Sequence, residues 1–158
     1  MGKINKTNAA RILDRLKVSY TLVPYKVDEN DLGAEHVAAQ LGEPVEQVFK
    51  TLVLRGDRTG HFVCVVPAMA EVDLKKAAHA SGNKKCDLIP LRELQPLTGY
   101  IRGGCSPIGM KKAQPTYIDA TCMNYTYIYV SAGMRGLQFR IAPGDLVEAS
   151  QATVVDII

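Results

Sequence analysis

No apolar run in this sequence approaches the roughly 20 residues that a helix needs to cross a bilayer. The longest, residues 62–70, is less than half that length. The first residues, Met1-Gly2-Lys3-Ile4-Asn5-Lys6, are polar and lack the apolar stretch of a secretory signal, which predicts a cytoplasmic protein. Gly2 does not complete a myristoylation signal, because the sixth position is Lys6 rather than Ser or Thr. Cysteine and histidine are sparse and scattered. Cys64, Cys86, Cys105 and Cys122 form no Cys-x-x-Cys pair and no zinc spacing, and His36, His61 and His79 add none. The thiols are therefore expected to be free, with no metal and no cofactor, and a dithiol redox role is disfavoured. There is no Gly-x-Ser-x-Gly elbow, no Walker A loop and no Gly-x-Gly-x-x-Gly fingerprint. Those absences set aside the α/β-hydrolase, P-loop and dinucleotide-binding classes.

What is present is an ordinary globular composition. The 158 residues suit one domain, 1–158, and 47% of them are hydrophobic, enough for a core without a staple. Net charge is +3, far from the dense positive charge of a dedicated DNA binder. The lysines nevertheless come in doublets, Lys75-Lys76, Lys84-Lys85 and Lys111-Lys112. Each doublet reads as solvated surface; together they also suit loose, sequence-independent phosphate contact.

Periodicity predicts a helix over 7–17, with Ala9, Ile12, Leu13 and Leu16 at helical spacing, and a second after Gly33 that stops at Gly42. A third runs from a cap at Asp73 to Ala80, a short one spans 90–95, and a last one 143–149. Strands are expected at 20–24, at 49–54 and 61–67 as a hairpin, at 125–131 and 137–141 as a second hairpin, and at an edge near Val154-Val155. Hairpins interrupted by helices argue an α+β fold with a mixed, mostly antiparallel sheet.

Three places carry chemical information. Lys50 alternates with Leu52 and Leu54 on a strand face that should be buried, and lysine is almost never buried without a partner. It is either a strand-end lysine that snorkels to water or a cation at a pocket mouth, ready for a carbonyl or phosphate oxygen. The stretch Gly99-Tyr100-Ile101-Arg102-Gly103-Gly104-Cys105-Ser106-Pro107-Ile108-Gly109 is either a turn-rich connection or a loop whose backbone N–H groups approach a ligand. Cys105 lies in that loop, yet no histidine stands in a recognisable catalytic context beside it, so a covalent role is disfavoured. Finally, Tyr125, Tyr127, Tyr129 and Ser131 share a strand face, either a packed rim or the wall of a polar cleft.

These segments converge on a family. Val48-Phe49-Lys50-Thr51-Leu52-Val53, the glycine loop continued by Met110-Lys111-Lys112, and Tyr129-Val130-Ser131-Ala132-Gly133-Met134-Arg135-Gly136-Leu137 occur in that order. The sequence resembles the YbaK family of trans-editing deacylases, freestanding relatives of the editing insertion domain of bacterial prolyl-tRNA synthetase. The resemblance implies a partly closed sheet and hydrolysis of mischarged tRNA, with Cys-tRNA(Pro) the substrate of the branch that carries Gly-Gly-x-Ser-Pro-x-Gly-x-Lys-Lys. In that branch the substrate's own thiol attacks its ester and leaves as a cyclic thiolactone. It further implies that Lys50 orients the substrate and that Gly103 supplies the backbone group near the carbonyl. Tyr25 and Ser131 match pocket positions, and Thr51, Gly104, Ser106 and Gln138 complete the substrate-binding candidates. Lys111 and Lys112 are the candidates for tRNA contact. Gln138 departs from the acidic or small hydroxyl residue of some members, and Ala132 and Met134 from a commoner Gly and Lys. The implied partners are tRNA(Pro) and, as a candidate, prolyl-tRNA synthetase. A non-catalytic module that binds aminoacyl-tRNA or an amino acid is the alternative.

Overall fold

A computed structural model describes residues 5–158; the polar start 1–4, with Gly2, lies outside the described residues. The chain runs α1 (Asn8–Arg15), β1 (Thr21–Pro24), α2 (Ala34–Leu41), β2 (Phe49–Gly56), β3 (Gly60–Pro67), α3 (Leu74–Ser81), β4 (Cys86–Leu88), α4 (Leu94–Thr98), β5 (Thr116–Asp119), β6 (Ile128–Met134), β7 (Leu137–Ile141), α5 (Pro143–Ser150) and β8 (Thr153–Val155). Local chemistry sets the helix ends. The Thr7 side chain accepts from the Ala10 N–H at the start of α1, and Asp73 accepts from Lys75 and Lys76 at the start of α3. Gly42 and Gly82 close α2 and α3 at φ 70° and 80°, where any other residue would be strained.

The strands form two open sheets rather than one partly closed sheet. One is three-stranded, in the order β1-β7-β6; the other is five-stranded, in the order β4-β2-β3-β5-β8. Most pairings are antiparallel, but β3–β5 and β5–β8 are parallel. A single parallel bridge between Val48 and Tyr129 links the sheets outside the named pairings.

Strand alternation explains the layers. Phe49, Val53, Val63, Val65 and Ile118 of one sheet meet Val130, Phe139 and Ile141 of the other in a core that α1 and α5 also enter. The opposite face of the large sheet carries Leu54, Phe62, Cys64 and Val66 against Ala77 and Ala78 of α3. The opposite face of the small sheet presents Tyr129 to Val37 and Ala38 of α2. The expected strand over 125–131 begins only at Ile128. Asp119 caps a 3-10 turn, Ala120–Asn124, by accepting from the Thr121 N–H, and this keeps Tyr125 and Tyr127 out of the ladder. The arginine Arg140 stacks on Tyr127, its guanidinium carbon 3.7 Å from the ring centroid.

Candidate active site

β4 pairs with β2 only at residues 54–56, so residues 49–52, between the Ile89–Val53 hydrogen bond and the Val48–Tyr129 bridge, leave an open edge. The carbonyl of Val48 accepts from Ala68 of the β3 side, while that of Val53 accepts from Ile89 of the β4 side. Alternation therefore turns the backbone groups of Phe49 and Thr51 toward the open edge. A cavity of about 460 Å³ lies beside it, a usual size for a small-molecule site. Lys50 and Thr51 of β2, Gly103 and Cys105 of the glycine loop, Ser131 of β6, Gln138 of β7 and Tyr25 all line this cavity. Leu88, Ile89, Leu91 and Leu94 form an apolar wall.

Lys50 is half-buried and makes no ion pair among the described residues, whose three pairs are Lys6–Asp14, Arg55–Glu93 and Lys76–Asp156. Burial holds its ammonium below the usual lysine range, and the charge of Glu71 offsets part of that shift. An unpaired, partly desolvated cation is primed for an electron-rich oxygen.

The two glycines of the loop do different jobs. Gly103 adopts φ +84°, and among the described residues its N–H donates to no protein acceptor. Gly104 is needed for close approach: a Cβ there would lie 3.1 Å from the backbone of Met134 and Arg135. Its own N–H donates to Ile101. The Arg135 Nε donates to the Arg102 carbonyl at 2.8 Å and ties the loop to the β6–β7 hairpin. Gly104 and Ser106 therefore stand behind the cavity wall and do not line it. The fully buried Ser106 hydroxyl instead accepts from the Ile108 N–H at 3.2 Å. Cys105 does line the cavity, but burial pushes its thiol up to about 12, so it stays protonated at neutral pH.

Ser131 and Gln138 sit opposite each other across β6 and β7, next to a register shift between Ser131 and Met134. The Ser131 hydroxyl accepts from the Gly133 N–H at 3.2 Å within that irregularity. Two polar atoms stand out: Thr51 Oγ1 and Gln138 Oε1 are buried without a hydrogen-bond partner. Met134 is exposed and Ala132 is packed in the core, and neither lines the cavity. Lys111 and Lys112 are exposed at the loop exit and do not line it either; the Lys111 N–H donates to the Thr98 carbonyl at 2.9 Å. The sequence alone did not single out the leucine wall, Asp28 and Asp31 of the cover before α2, or a site role for His36 in the first turn of α2. The polar, glycine-ended stretch between β1 and α2 was the one available signal. Among the described residues, no cluster of three or more His, Cys, Asp or Glu could hold a metal ion, and no helix is long and apolar enough to cross a membrane.

A two-sheet α+β fold whose open sheet edge faces a cavity with a free lysine and a glycine loop defines a class. A solved structure described as a candidate trans-editing enzyme for prolyl-tRNA synthetase superposes with a TM-score of 0.83 at 25% identity, covering 97% of this chain and 98% of that one. Residues 28–149 match the family described as the aminoacyl-tRNA editing domain. A protein of Enterococcus faecalis provisionally named Cys-tRNA(Pro)/Cys-tRNA(Cys) deacylase EbsC is 47% identical over 152 residues, which is 96% of this chain and 93% of that one. The Bacillus subtilis protein YwhH is 27% identical over 120 residues, 76% of each chain. The chain belongs to the aminoacyl-tRNA editing family, as the resemblance to YbaK proteins implied.

Proposed function

We propose that this chain, as one editing domain, removes cysteine from mischarged Cys-tRNA(Pro) in the cytoplasm, with prolyl-tRNA synthetase as a candidate partner. The observation that carries the reading is a cavity that brings together a lysine with no ion-pair partner and a backbone N–H with no protein acceptor among the described residues, while its cysteine thiol is held protonated. Lys50 Nζ and the Gly103 N–H are donors for the ester carbonyl oxygen, where negative charge grows in the transition state. The substrate thiolate then attacks the carbonyl carbon. A C–S bond forms, the bond to the ribose oxygen breaks, and the proton lost by the thiol ends on that oxygen. The products are a cyclic thiolactone and free tRNA. Orientation of the thiol over the carbonyl supplies up to about 7–11 kcal/mol of the barrier. A panel of tRNA(Pro) charged with Cys, Ala, Ser or Pro, incubated with catalytic amounts of protein, tests the reading. Multiple turnovers on Cys-tRNA(Pro) support it, and binding without turnover would leave a non-catalytic module.

The thiol of Cys105 has no step to perform in this chemistry. Cys105→Ser is expected to keep kcat/KM within about threefold, because burial already keeps the native thiol protonated. A loss beyond tenfold with the fold intact, or an acyl group trapped on Cys105, would overturn that part.

Lys111 and Lys112 are proposed to contact tRNA phosphates, on the strength of their exposure beside the loop. Replacing both by alanine is expected to raise KM with little change in kcat, the pattern of lost uniform binding. It should also flatten the slope of log affinity against log salt by roughly one to two. A salt series of binding to tRNA(Pro) checks this; an unchanged slope would make them solvated surface.

A further inference from the structure

We propose that Thr51 and Gln138 form the seat of the substrate's α-ammonium group, so that the site demands a free amine as well as an ester. The inference rests on the aminoacyl-ester reading above. It starts from Thr51 Oγ1 and Gln138 Oε1, both buried without a hydrogen-bond partner in residues that line one cavity. Buried side-chain acceptors are nearly always paired, so two orphans in one cavity call for a donor that arrives with the ligand.

The placement of Gln138 sharpens the point. It is 5% exposed, and in β7 it lies between Val23 of β1 and Ser131 of β6. Its neighbours Leu137 and Phe139 face the apolar core, so alternation turns Gln138 to the sheet face on the cavity side.

The donor is identified by matching groups. The aminoacyl end of a tRNA offers a carbonyl oxygen, a side chain, an ammonium and the neighbouring ribose hydroxyl, which brings a single donor. The carbonyl accepts, and Lys50 and the Gly103 N–H already suit it. A reacting thiol is a weak donor at best and becomes an anion, which needs donors rather than acceptors. Only the ammonium brings several strong donors, and it is the one group that two neutral oxygens satisfy.

The test compares a pair of ligands that differ only at the amine. One is Cys-tRNA(Pro); the other is 3-mercaptopropionyl-tRNA(Pro), with the same ester and thiol but hydrogen in place of the amine. The natural protein should prefer the first by about 10- to 100-fold in kcat/KM, the size expected for hydrogen bonds to a charged group. In Gln138→Met and Thr51→Val that preference should shrink toward the ratio of the two esters' uncatalysed rates, since the ammonium by itself activates the neighbouring ester. Binding is measured in parallel with cysteine and 3-mercaptopropionate joined through an amide to 3′-amino-3′-deoxyadenosine, neither of which can be hydrolysed. The amine-bearing compound should bind the natural protein at least tenfold more tightly, and the variants should lose that margin. Equal affinity of the natural protein for the two compounds would overturn the proposal whether or not any tRNA is deacylated. An unreduced preference in folded variants would overturn the two residues. An amine preference in binding without turnover of Cys-tRNA(Pro) would instead sink the deacylase reading and leave the ammonium seat standing.

Discussion

Lys50→Met is expected to lose about 10²–10³ in kcat/KM on Cys-tRNA(Pro) while melting no lower than the natural protein. The loss in rate is that of one preorganised contact to a developing oxyanion. The stability claim follows from the environment of the ammonium. Burial lowers the folded pKa of Lys50 below its ordinary value of 10.5, so folding disfavours the charged form. The unfolded chain binds more protons than the folded one between those two values, and stability rises with pH across that window. At neutral pH the natural protein bears the full cost of desolvating the cation, and methionine removes it at similar volume. The same shift shapes the pH profile. Activity should climb as the substrate thiol ionises toward about 8.5, be held back as an α-ammonium of about 7.7–8.0 loses its proton, and end as Lys50 loses its own below the ordinary 10.5. Paired thermal melts and deacylation rates check both halves. Wild-type turnover by folded Lys50→Met would remove Lys50 from the reaction.

Ser-tRNA(Pro) is expected to be cleaved about 10³- to 10⁴-fold more slowly than Cys-tRNA(Pro). A thiol near pKa 8.5 is about one-tenth ionised at pH 7.5. A serine hydroxyl ionises far less readily than a thiol and supplies many orders of magnitude less anion. A Brønsted slope of about 0.4–0.5 returns roughly half of that deficit on the logarithmic scale. The Cys105 thiol cannot make up the rest as a base, because burial holds it protonated near 12. Initial rates on the two charged tRNAs decide the matter, and mass spectrometry of the first product adds a second reading. Serine within tenfold of cysteine, or free cysteine formed with no thiolactone before it, would mean that water or a protein group attacks.

Both hairpins and the capped helices were legible because each has a strong local signal: alternating apolar residues around a glycine turn, or a Thr or Asp cap before an apolar stripe. Lys50 was legible for the same reason, as a cation out of place in an alternating strand. β4 and β5 were not legible. They are three and four residues long, and β5 is held by parallel partners far away in the chain, which no local pattern announces. The delayed start of β6 depends on a cap at Asp119 that competes with a run of tyrosines rich in strand propensity. Within the site, the glycine pair was visible as a pair, but the division of labour between them was not. Only the approach of Met134 and Arg135 shows that Gly104 is there to be thin. The orphan oxygens of Thr51 and Gln138 were equally hidden, since burial without a partner is a property of the folded neighbourhood.

The open edge of β2 has a consequence for the protein's life at high concentration. An unpaired strand edge is a template for any other extended chain, and it invites self-association. Here the edge cannot be covered in the usual way, since an added strand over residues 49–52 would fill the place that the substrate needs. The chain protects it by recess instead: the leucine wall and the cover before α2 crowd the edge until only a cavity of about 460 Å³ remains. A single aminoacyl end can enter that space, and a pleated strand with side chains on both faces cannot. Solubility and turnover thus make opposing demands on the same short stretch of backbone, and the width of the recess is where the two are reconciled.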